Sequence, residues 1–234
     1  MGRSGGVSGG RYQSFNLARW VGDEPSAVAE NWRRFGAAYP AARTVARLQQ
    51  MHGTTVHTIG AAWDSERREG DGMVTAAAGM TLGIFTADCV PILMVDAERR
   101  VCGAFHAGWR GTLGGIVAAG VCAMAALDAR PQALRAAMGP AIGGCCFEVD
   151  AELVGQFACE IPGAREHTRP GRTGKAYMSL RSIIRDQLER AGLRREAIVC
   201  VGPCTRCGND RFFSRRGGGG VATGLQMSFI GFAP

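Results

Sequence analysis

The chain has few aromatic residues and no long apolar run, and each shortage argues against a class of protein. Aromatic residues make up 7% of the 234 positions, which leaves little material for platforms on which nucleic-acid bases stack. The longest apolar run, residues 112–127, is shorter than the roughly 20 residues that a membrane-spanning helix needs. We therefore expect no nucleic-acid partner and no insertion into a membrane.

The first residues are rich in glycine and serine and lack the apolar segment of a secretory signal. The cysteine count, nine, is odd, which also argues against a framework of disulfides. We expect a cytoplasmic protein with reduced thiols, and we expect residues 1–10 to be flexible.

The composition is that of a folded chain, with 46% apolar and 20% charged residues. No segment has the composition of a linker, so we expect a single domain over residues 1–234. The net charge of +7 favours anionic small molecules as ligands.

Two short apolar runs on either side of the polar segment 96–100 predict a β-hairpin. A symmetric hairpin pairs His106 with Pro91, and Cys89 lies just beyond the end of that strand. A thiolate and an imidazole would then meet at one edge of a sheet.

Residues 112–127 are apolar nearly all round, which predicts one buried helix. The N-terminus of this helix, beside Arg110, is a predicted anion site. Ser179 is a predicted cap for a later helix that Gly192 closes. The polar stretch 64–71 predicts a surface loop.

Histidine is scarce as well, at four residues, so each can be considered singly. His52, Cys89 and His106 each stand at the end of an apolar segment. Two imidazoles and one thiolate are donors that suit zinc, whose catalytic sites keep three protein ligands and a water. From the spacing alone, a core cysteine with two structural histidines is the commoner arrangement, so both interpretations stay open. His57 is interpreted as structural or exposed, and His167 as a solvated residue of a polar loop.

Cys204 and Cys207 form a CxxC pattern. One such pair does not predict a zinc site when neither a second pair nor a histidine lies nearby in the sequence. No helix follows to favour a redox motif. Cys145 and Cys146 are interpreted as small buried residues.

Asp88 and Glu148 are the candidate proton carriers. If the strand alternates to its end, Asp88 faces away from Cys89. Arg110 is a candidate anchor for an anionic substrate, because it lies at a glycine-flanked helix start.

Seven short segments together resemble the YfiH family, also called the multicopper polyphenol oxidase or laccase-domain family. In order along nearly the whole chain, they are residues 14–17 (SFNL), 50–53 (QMHG), 86–91 (TADCVP), 106–111 (HAGWRG), 139–142 (GPAI), 146–149 (CFEV) and 212–214 (FFS). Leu225 and Ser179 depart from the family pattern, which commonly has Arg and Asp there. These departures bear on substrate affinity more than on the metal site.

The resemblance implies a mixed α/β (α+β) fold, in which two β-layers are flanked by helices in an αββα arrangement. This fold is related to a toxin fold that carries a Cys–His hydrolase site. The resemblance also implies a zinc enzyme that cleaves purine nucleosides (adenosine, inosine, methylthioadenosine) with phosphate and deaminates adenosine. A zinc-bound water, with its pKa brought toward about 7, suits the deamination.

The expected site residues divide by role. They are Cys89, His106, Asp88 and Glu148 for catalysis, Arg110, Gln50 and Asn16 for substrate binding, and His52, Cys89 and His106 for the metal.

Three other functions are weighed against this one. Copper-dependent oxidation of phenols is known for the family, but blue-copper laccases need about ten histidines. Amide hydrolysis of peptidoglycan precursors would use Cys89 as nucleophile and His106 as base. Nucleic-acid binding through basic residues near the C-terminus, Arg206 to Arg216, has no recognised motif behind it. We expect a monomer or a weak dimer.

Overall fold

The structure is a computed structural model that describes residues 1–42, 44–60, 63 and 68–234. These residues form five α-helices and twelve β-strands. The helices are α1 (Pro25–Ala38), α2 (Trp109–Gly114), α3 (Ile116–Ala125), α4 (Ala151–Glu160) and α5 (Leu180–Arg190). The strands are β1 (Thr44–Ala46), β2 (Val56–Thr58), β3 (Gly72–Thr75), β4 (Met80–Thr86), β5 (Val90–Asp96), β6 (Val101–Ala107), β7 (Arg135–Met138), β8 (Glu148–Asp150), β9 (Thr168–Pro170), β10 (Lys175–Met178), β11 (Ile198–Cys200) and β12 (Gln226–Gly231).

The largest sheet has six strands in the order β11-β7-β5-β6-β3-β2. In its centre, β5 pairs antiparallel with β6, and β6 pairs antiparallel with β3. The outer pairs, β11–β7 and β2–β3, are parallel. Every residue of β6 is buried. A strand covered on both faces needs apolar side chains on both, which explains its continuous apolar run.

A second sheet, β1-β4-β12, packs against one face of the six-stranded sheet. Leu82 and Ile84 of β4 meet Met73 and Ala104 of the larger sheet in a shared apolar cluster. The two sheets are the two predicted β-layers.

Helices cover both outer faces of this pair of sheets. Helix α3 packs on β6 and β3, and α5 packs on α3. On the opposite side, Phe35 of α1 meets Phe229 of β12 edge to face, with ring centroids 5.2 Å apart. The layer order is therefore helix, sheet, sheet, helix, and the predicted mixed α/β fold is confirmed. A small third sheet, β8-β10-β9, lies beside α4.

The hairpin register is the predicted one. Pro91 pairs with His106 and Val90 with Ala107. At the turn, the Asp96 carboxylate accepts hydrogen bonds from the backbone N–H groups of Glu98 and Arg99, both at 3.1 Å. The carboxylate thus fixes the turn that sets this register.

The predicted helix over residues 112–127 is wrong in one respect, because it is two helices. Gly115 separates α2 from α3 in a left-handed conformation, with φ of 91°. The Ser179 cap is confirmed, since its hydroxyl accepts the N–H of Ser182 at 3.3 Å. Within the described residues, no helix is both long and apolar enough to cross a membrane.

At two predicted loops, the described residues are more buried or more tightly bound than expected. Residues 64–67 of the predicted surface loop lie outside the described residues, but Asp71 at its end is fully buried. The glycine-rich start, expected to be flexible, packs on the rest of the chain. There, the Arg3 N–H donates to Arg211 O at 2.8 Å and the Val7 N–H to Asn31 Oδ1 at 2.9 Å.

Candidate active site

Three predicted ligands meet at the open end of the β5–β6 hairpin. Cys89 directly precedes β5, His106 lies near the end of β6, and His52 lies in the loop between β1 and β2. One donor atom from each lies within 4.8 Å of the other two. The two imidazole rings meet edge to face, with centroids 4.7 Å apart.

Asp71 supports two of these residues at once, and the sequence analysis missed it. Its carboxylate accepts from His106 Nδ1 at 2.7 Å. The same carboxylate accepts the backbone N–H groups of Met51, His52 and Gly53 at 3.1, 2.9 and 2.7 Å. Asp71 therefore orients the His106 ring and fixes the loop that carries His52. Because it ends a polar stretch, the only local signal was its position just before an apolar strand.

The loop around His52 adopts an uncommon backbone conformation. His52 has φ of 62°, in the left-handed region, where a residue other than glycine is uncommon. The three N–H bonds to Asp71 hold this turn in place. The backbone strain thus lies in the segment that aims the His52 ring at Cys89.

The electrostatics of the site favour an ionised thiolate. Burial raises the pKa of the Cys89 thiol, but hydrogen bonds and charge from His106 and His52 outweigh burial and lower the pKa to about 6. Burial likewise lowers the pKa of His106, but Asp71 and Cys89 outweigh burial and raise it to about 9. The thiolate is also the form of cysteine that binds a metal ion, and the two histidines bind one only after losing their protons.

The donor set fits a metal ion. Two imidazoles and a thiolate converge, and because Nδ1 of His106 is bound to Asp71, Nε2 is the ring nitrogen that could bind an ion after losing its proton. A carboxylate behind a histidine is the usual support for a metal ligand. His52 is exposed, so one side of the site faces solvent. Three protein donors with one open side would suit a metal ion that also binds a water or a substrate.

Because Gly108 has no side chain, His52 and Cys89 have room to approach each other beside it. A Cβ at this position would lie 2.9 Å from Cδ2 of His52 and 3.2 Å from Sγ of Cys89. Any larger side chain would push the two ligands apart. Gly108 also caps α2, so the turn after His106 and the metal site share one small residue.

A cavity of about 1040 Å³ opens in front of these residues. Trp20 and Trp109 supply aromatic surface, and Asp88 is the one acidic residue among the described lining residues. Five arginines line it as well: Arg19, Arg47, Arg110, Arg215 and Arg216. The cavity therefore suits a ligand that joins an aromatic ring to an anionic group.

Arg110 lies on this cavity, as predicted for an anchor. Its guanidinium stacks on the Trp109 ring, 4.3 Å from the centroid. Helix α2 has only six residues. The predicted anion site therefore depends on the arginine side chains and not on the dipole of a long helix.

Gln50 and Asn16, predicted to bind substrate, use their amides within the fold. The Gln50 side chain donates to Phe85 O at 2.8 Å and accepts the Phe85 N–H at 2.9 Å. Asn16 is fully buried and binds Ala18, Asp23 and the N–H of Leu225. Gln50 lines the cavity with its amide bound to the backbone of Phe85, and Asn16 is not among the described lining residues. Substrate binding by these two residues stays a prediction.

Asp88 is also bound within the fold. Its carboxylate accepts from Thr205 Oγ1 at 2.6 Å, Ser214 Oγ at 2.7 Å and the Arg216 N–H at 2.7 Å. Asp88 therefore has a structural role, and its role as a proton carrier stays a prediction. It fastens the segment 205–216, which carries Arg215 and Arg216 to the cavity.

Glu148 lies on a neighbouring pocket of about 460 Å³, not on the main cavity. Arg172 pairs with its carboxylate, at 2.9 Å from Nε to Oε2, and holds the pKa of Glu148 below its usual value. A carboxylate held ionised by an arginine is a poor proton donor at neutral pH. Arg172 thus disfavours Glu148 as a proton donor, and a role for Glu148 as a proton acceptor stays a prediction. Trp109, Phe147 and Arg216 line both pockets.

The CxxC pair, Cys204 and Cys207, lies next to a second pair of cysteines that is distant in the sequence. The thiols of Cys145, Cys146, Cys204 and Cys207 all lie within 4.8 Å of one another. Cys145 is exposed and Cys146 half-buried, so their interpretation as buried small residues is wrong.

The sequence matches a family model described as "Multi-copper polyphenol oxidoreductase laccase" over residues 1–233. The chain belongs to this family. It is 37% identical over 216 residues to a purine nucleoside phosphorylase of Mycobacterium tuberculosis, a match that covers 92% of the chain and 84% of the relative. It is 43% identical over 194 residues to one of Deinococcus radiodurans, covering 82% of the chain and 73% of the relative.

Solved structures of the family share the fold. YlmD from Geobacillus stearothermophilus superposes with a TM-score of 0.92 at 33% identity, covering 100% of this chain and 90% of that one. YfiH from Bacillus licheniformis superposes with a TM-score of 0.92 at 28% identity, covering 99% and 90%. The expected resemblance to the YfiH family is thereby confirmed.

Proposed function

We propose that this protein is a zinc-dependent purine nucleoside phosphorylase that also deaminates adenosine. The observation that carries the proposal is the set His52, Cys89 and His106, supported by Asp71, at the head of an arginine-rich cavity. Relatives named purine nucleoside phosphorylase, at 37 to 43% identity, support the substrate class.

Phosphorolysis exchanges one bond at the sugar for another. An oxygen of inorganic phosphate attacks C1′ of the ribose, the C1′–N9 bond breaks, and the free base leaves with the proton that the phosphate has given up. Arg110, Arg215 and Arg216 would hold the phosphate, because guanidinium groups bind it in a forked geometry. Trp20, with 54% of its surface exposed, offers a face for the purine.

Deamination replaces the amino group at C6 with the oxygen of water and releases ammonia. Zinc at the three ligands would supply a Lewis acid and lower the pKa of a coordinated water toward about 7. Cys89 and His106 would act as ligands, with Asp71 holding the His106 ring in place. The cavity of about 1040 Å³ holds a nucleoside with room for phosphate beside it.

A nucleoside panel tests this proposal. Adenosine, inosine and methylthioadenosine are incubated with and without phosphate, and free base, ribose 1-phosphate and inosine from adenosine are measured. We expect base release only with phosphate, and loss of turnover in His106→Ala. His167→Ala is the matched control, because His167 also pairs with a carboxylate, that of Asp186 at 2.6 Å. Full turnover in His106→Ala would exclude the site.

The metal is tested on protein purified without added metal. We expect zinc, and the loss of one equivalent in both His52→Ala and His106→Ala. Several equivalents of copper, with oxidation of phenols, would favour polyphenol oxidation instead.

One observation favours amide hydrolysis as a second candidate. Cys89, His106 and Asp71 form a connected thiol, imidazole and carboxylate, as in cysteine hydrolases. Covalent labelling of Cys89 in metal-replete protein, with parallel loss of activity, would support this candidate. Protection of Cys89 by the metal would support the phosphorylase.

We further propose action on free nucleosides in the cytoplasm by a monomer or weak dimer. Sedimentation across a concentration series tests the assembly state.

A further inference from the structure

Four thiols gather beyond the carboxyl ends of two parallel strands, in a group separate from that of His52, Cys89 and His106. Strands β7 and β11 pair in parallel, with Ala136 opposite Ile198. The chain after β7 brings Cys145 and Cys146, and the chain after β11 brings Cys204 and Cys207. The Thr205 N–H donates to Ala141 O at 3.1 Å and ties the two loops together. Parallel pairing therefore brings two cysteine pairs to one point.

The loop around Cys204 turns backbone N–H groups toward its sulfur. The N–H of Gly143 donates to Cys204 Sγ at 3.2 Å. Burial raises the pKa of this thiol, but the N–H groups of Gly143, Cys207 and Arg206 contribute to lowering it to about 7. Gly208 follows the pair, and its N–H donates to Cys204 O at 2.9 Å. This is a tight turn that presents two sulfurs on the same side.

The distances between the sulfur atoms are close to those around a bound metal ion and longer than a disulfide bond. The Sγ atoms of Cys145 and Cys146 lie 3.7 and 3.4 Å from that of Cys207. Four sulfurs around one zinc, at Zn–S of about 2.3 Å, lie about 3.8 Å apart in a tetrahedron. A disulfide needs about 2.05 Å. We propose that Cys145, Cys146, Cys204 and Cys207 bind a structural zinc ion as four thiolates.

The surroundings offset part of the charge that four thiolates bring. The Arg169 guanidinium donates to Cys145 O at 3.3 Å. Arg206 lies inside the CxxC turn and is exposed. Four thiolates around a divalent ion leave two negative charges, which the nearby positive charges of Arg169 and Arg206 offset in part.

The proposed ion fixes a wall of the main cavity. Both cysteine loops bind Asp88, which precedes Cys89: Ile142 donates its N–H to Asp88 O at 2.8 Å, and Thr205 donates its hydroxyl to the carboxylate at 2.6 Å. Ile142 and Phe147, on either side of Cys145 and Cys146, line the cavity. A zinc ion here would hold this wall in place beside Cys89.

Metal stoichiometry of the intact chain tests the proposal. We expect two equivalents of zinc in the wild type, and one in the Cys204→Ser/Cys207→Ser variant. Cys122→Ser and Cys159→Ser, at exposed cysteines on α3 and α4, should keep both. Because Cys204 is buried and its replacement risks misfolding, Cys207→Ser is measured alone as well. Zinc content unchanged by both variants would overturn the proposal.

X-ray absorption identifies the ligands of the second ion. The His52→Ala/His106→Ala variant isolates it, and we expect one zinc with a sulfur-only shell at about 2.3 Å. Iron in place of zinc, or nitrogen and oxygen in the shell, would overturn the assignment. A metal-free protein whose mass shows disulfides among these four cysteines would overturn it too.

Limited proteolysis provides a readout that does not depend on catalysis. A chelator that removes the second zinc from the same variant should speed tryptic cleavage after Arg206 and Arg211, and zinc should reverse this. Equal cleavage with and without the ion would show that the cluster does not hold the loops.

Discussion

The carboxylate of Asp71 accepts from Nδ1 of His106 at 2.7 Å, although the two residues lie 35 positions apart in the chain. Both are nearly inaccessible to solvent. The same carboxylate fixes the turn at His52, so one buried charge orders two of the three proposed metal ligands.

Asp71→Asn should therefore weaken metal binding by about 10- to 100-fold. The amide would place an NH₂ group among four donors and lose the bonds that set the loop and the ring. Competition against a chromogenic chelator measures the affinity. Asp186→Asn, which alters the other carboxylate–histidine pair, should leave the affinity unchanged. Equal affinity in both variants would contradict the supporting role of Asp71.

Gly108→Ala should reduce metal affinity by about tenfold or more, an effect comparable to the loss of a supporting contact. Its backbone angles suit alanine, so the effect comes from the added Cβ, 2.9 Å from the His52 ring. Gly155→Ala, within α4 and with no atom within 4 Å of the added Cβ, is the control. That control should raise stability by about 0.5 to 1 kcal/mol and leave metal content intact. Full metal content in Gly108→Ala would refute the steric argument.

Asp88→Asn should leave the metal content unchanged and loosen the segment 205–216. The amide would place an NH₂ opposite the Arg216 N–H, which donates to Oδ2 at 2.7 Å in the wild type. Faster tryptic cleavage after Arg215 or Arg216 measures the change. Asp210→Asn, an exposed position in the same segment, serves as control. If cleavage is unchanged and only kcat falls strongly, the role of Asp88 as a proton carrier would be supported instead.

Asp96 should make the free energy of unfolding depend on pH in the acidic range. Burial raises the pKa of this carboxyl, but the N–H groups of Arg130, Arg99 and Glu98 help to hold it below its usual value. The stabilisation is therefore full above the unfolded-state pKa of about 3.9 and is lost as pH falls through the lower folded value.

Asp96→Asn should accordingly cost about 1 to 3 kcal/mol at pH 7, the range for losing hydrogen bonds to a buried charged group. Denaturant unfolding at a series of pH values should show this difference shrinking below about pH 4. Asp128→Asn, at an exposed position, is the reference. A difference that stays constant down to pH 3 would contradict the assignment.

Local sequence predicted what depends on local rules. The polar segment between two apolar runs set the β5–β6 register, because the side-chain period and the turn fix the pairing. The helix cap at Ser179 followed from the same kind of information. Both features lie within a few residues of the signals that predict them.

Contacts between residues that are far apart in the sequence could not be predicted in this way. Cys207 meets Cys145 and Cys146 across 62 and 61 positions, and only the parallel pairing of β7 with β11 brings them together. Asp71 ends a polar stretch that would ordinarily be exposed, and the neighbouring His52 turn buries it. At Gly115, an apolar run compatible with one helix breaks because the residue is left-handed.

Segments shared with a family do not by themselves separate structural from ligand-binding residues. Asn16 and Gln50 lie in two such segments, yet their amides pair with backbone groups of the fold. Arg110, from another segment, does face the cavity.

The β5–β6 hairpin is fastened at both ends and flanked on both edges by β7 and β3. Asp96 closes the turn end, and the contact of Cys89 with His106 closes the open end. Amides in a segment held in this way exchange with solvent only when the whole domain opens. Cys89 and His106, the proposed site residues, thus lie on what should be the last part of the molecule to unfold, so loss of the proposed activity on heating and global unfolding should coincide.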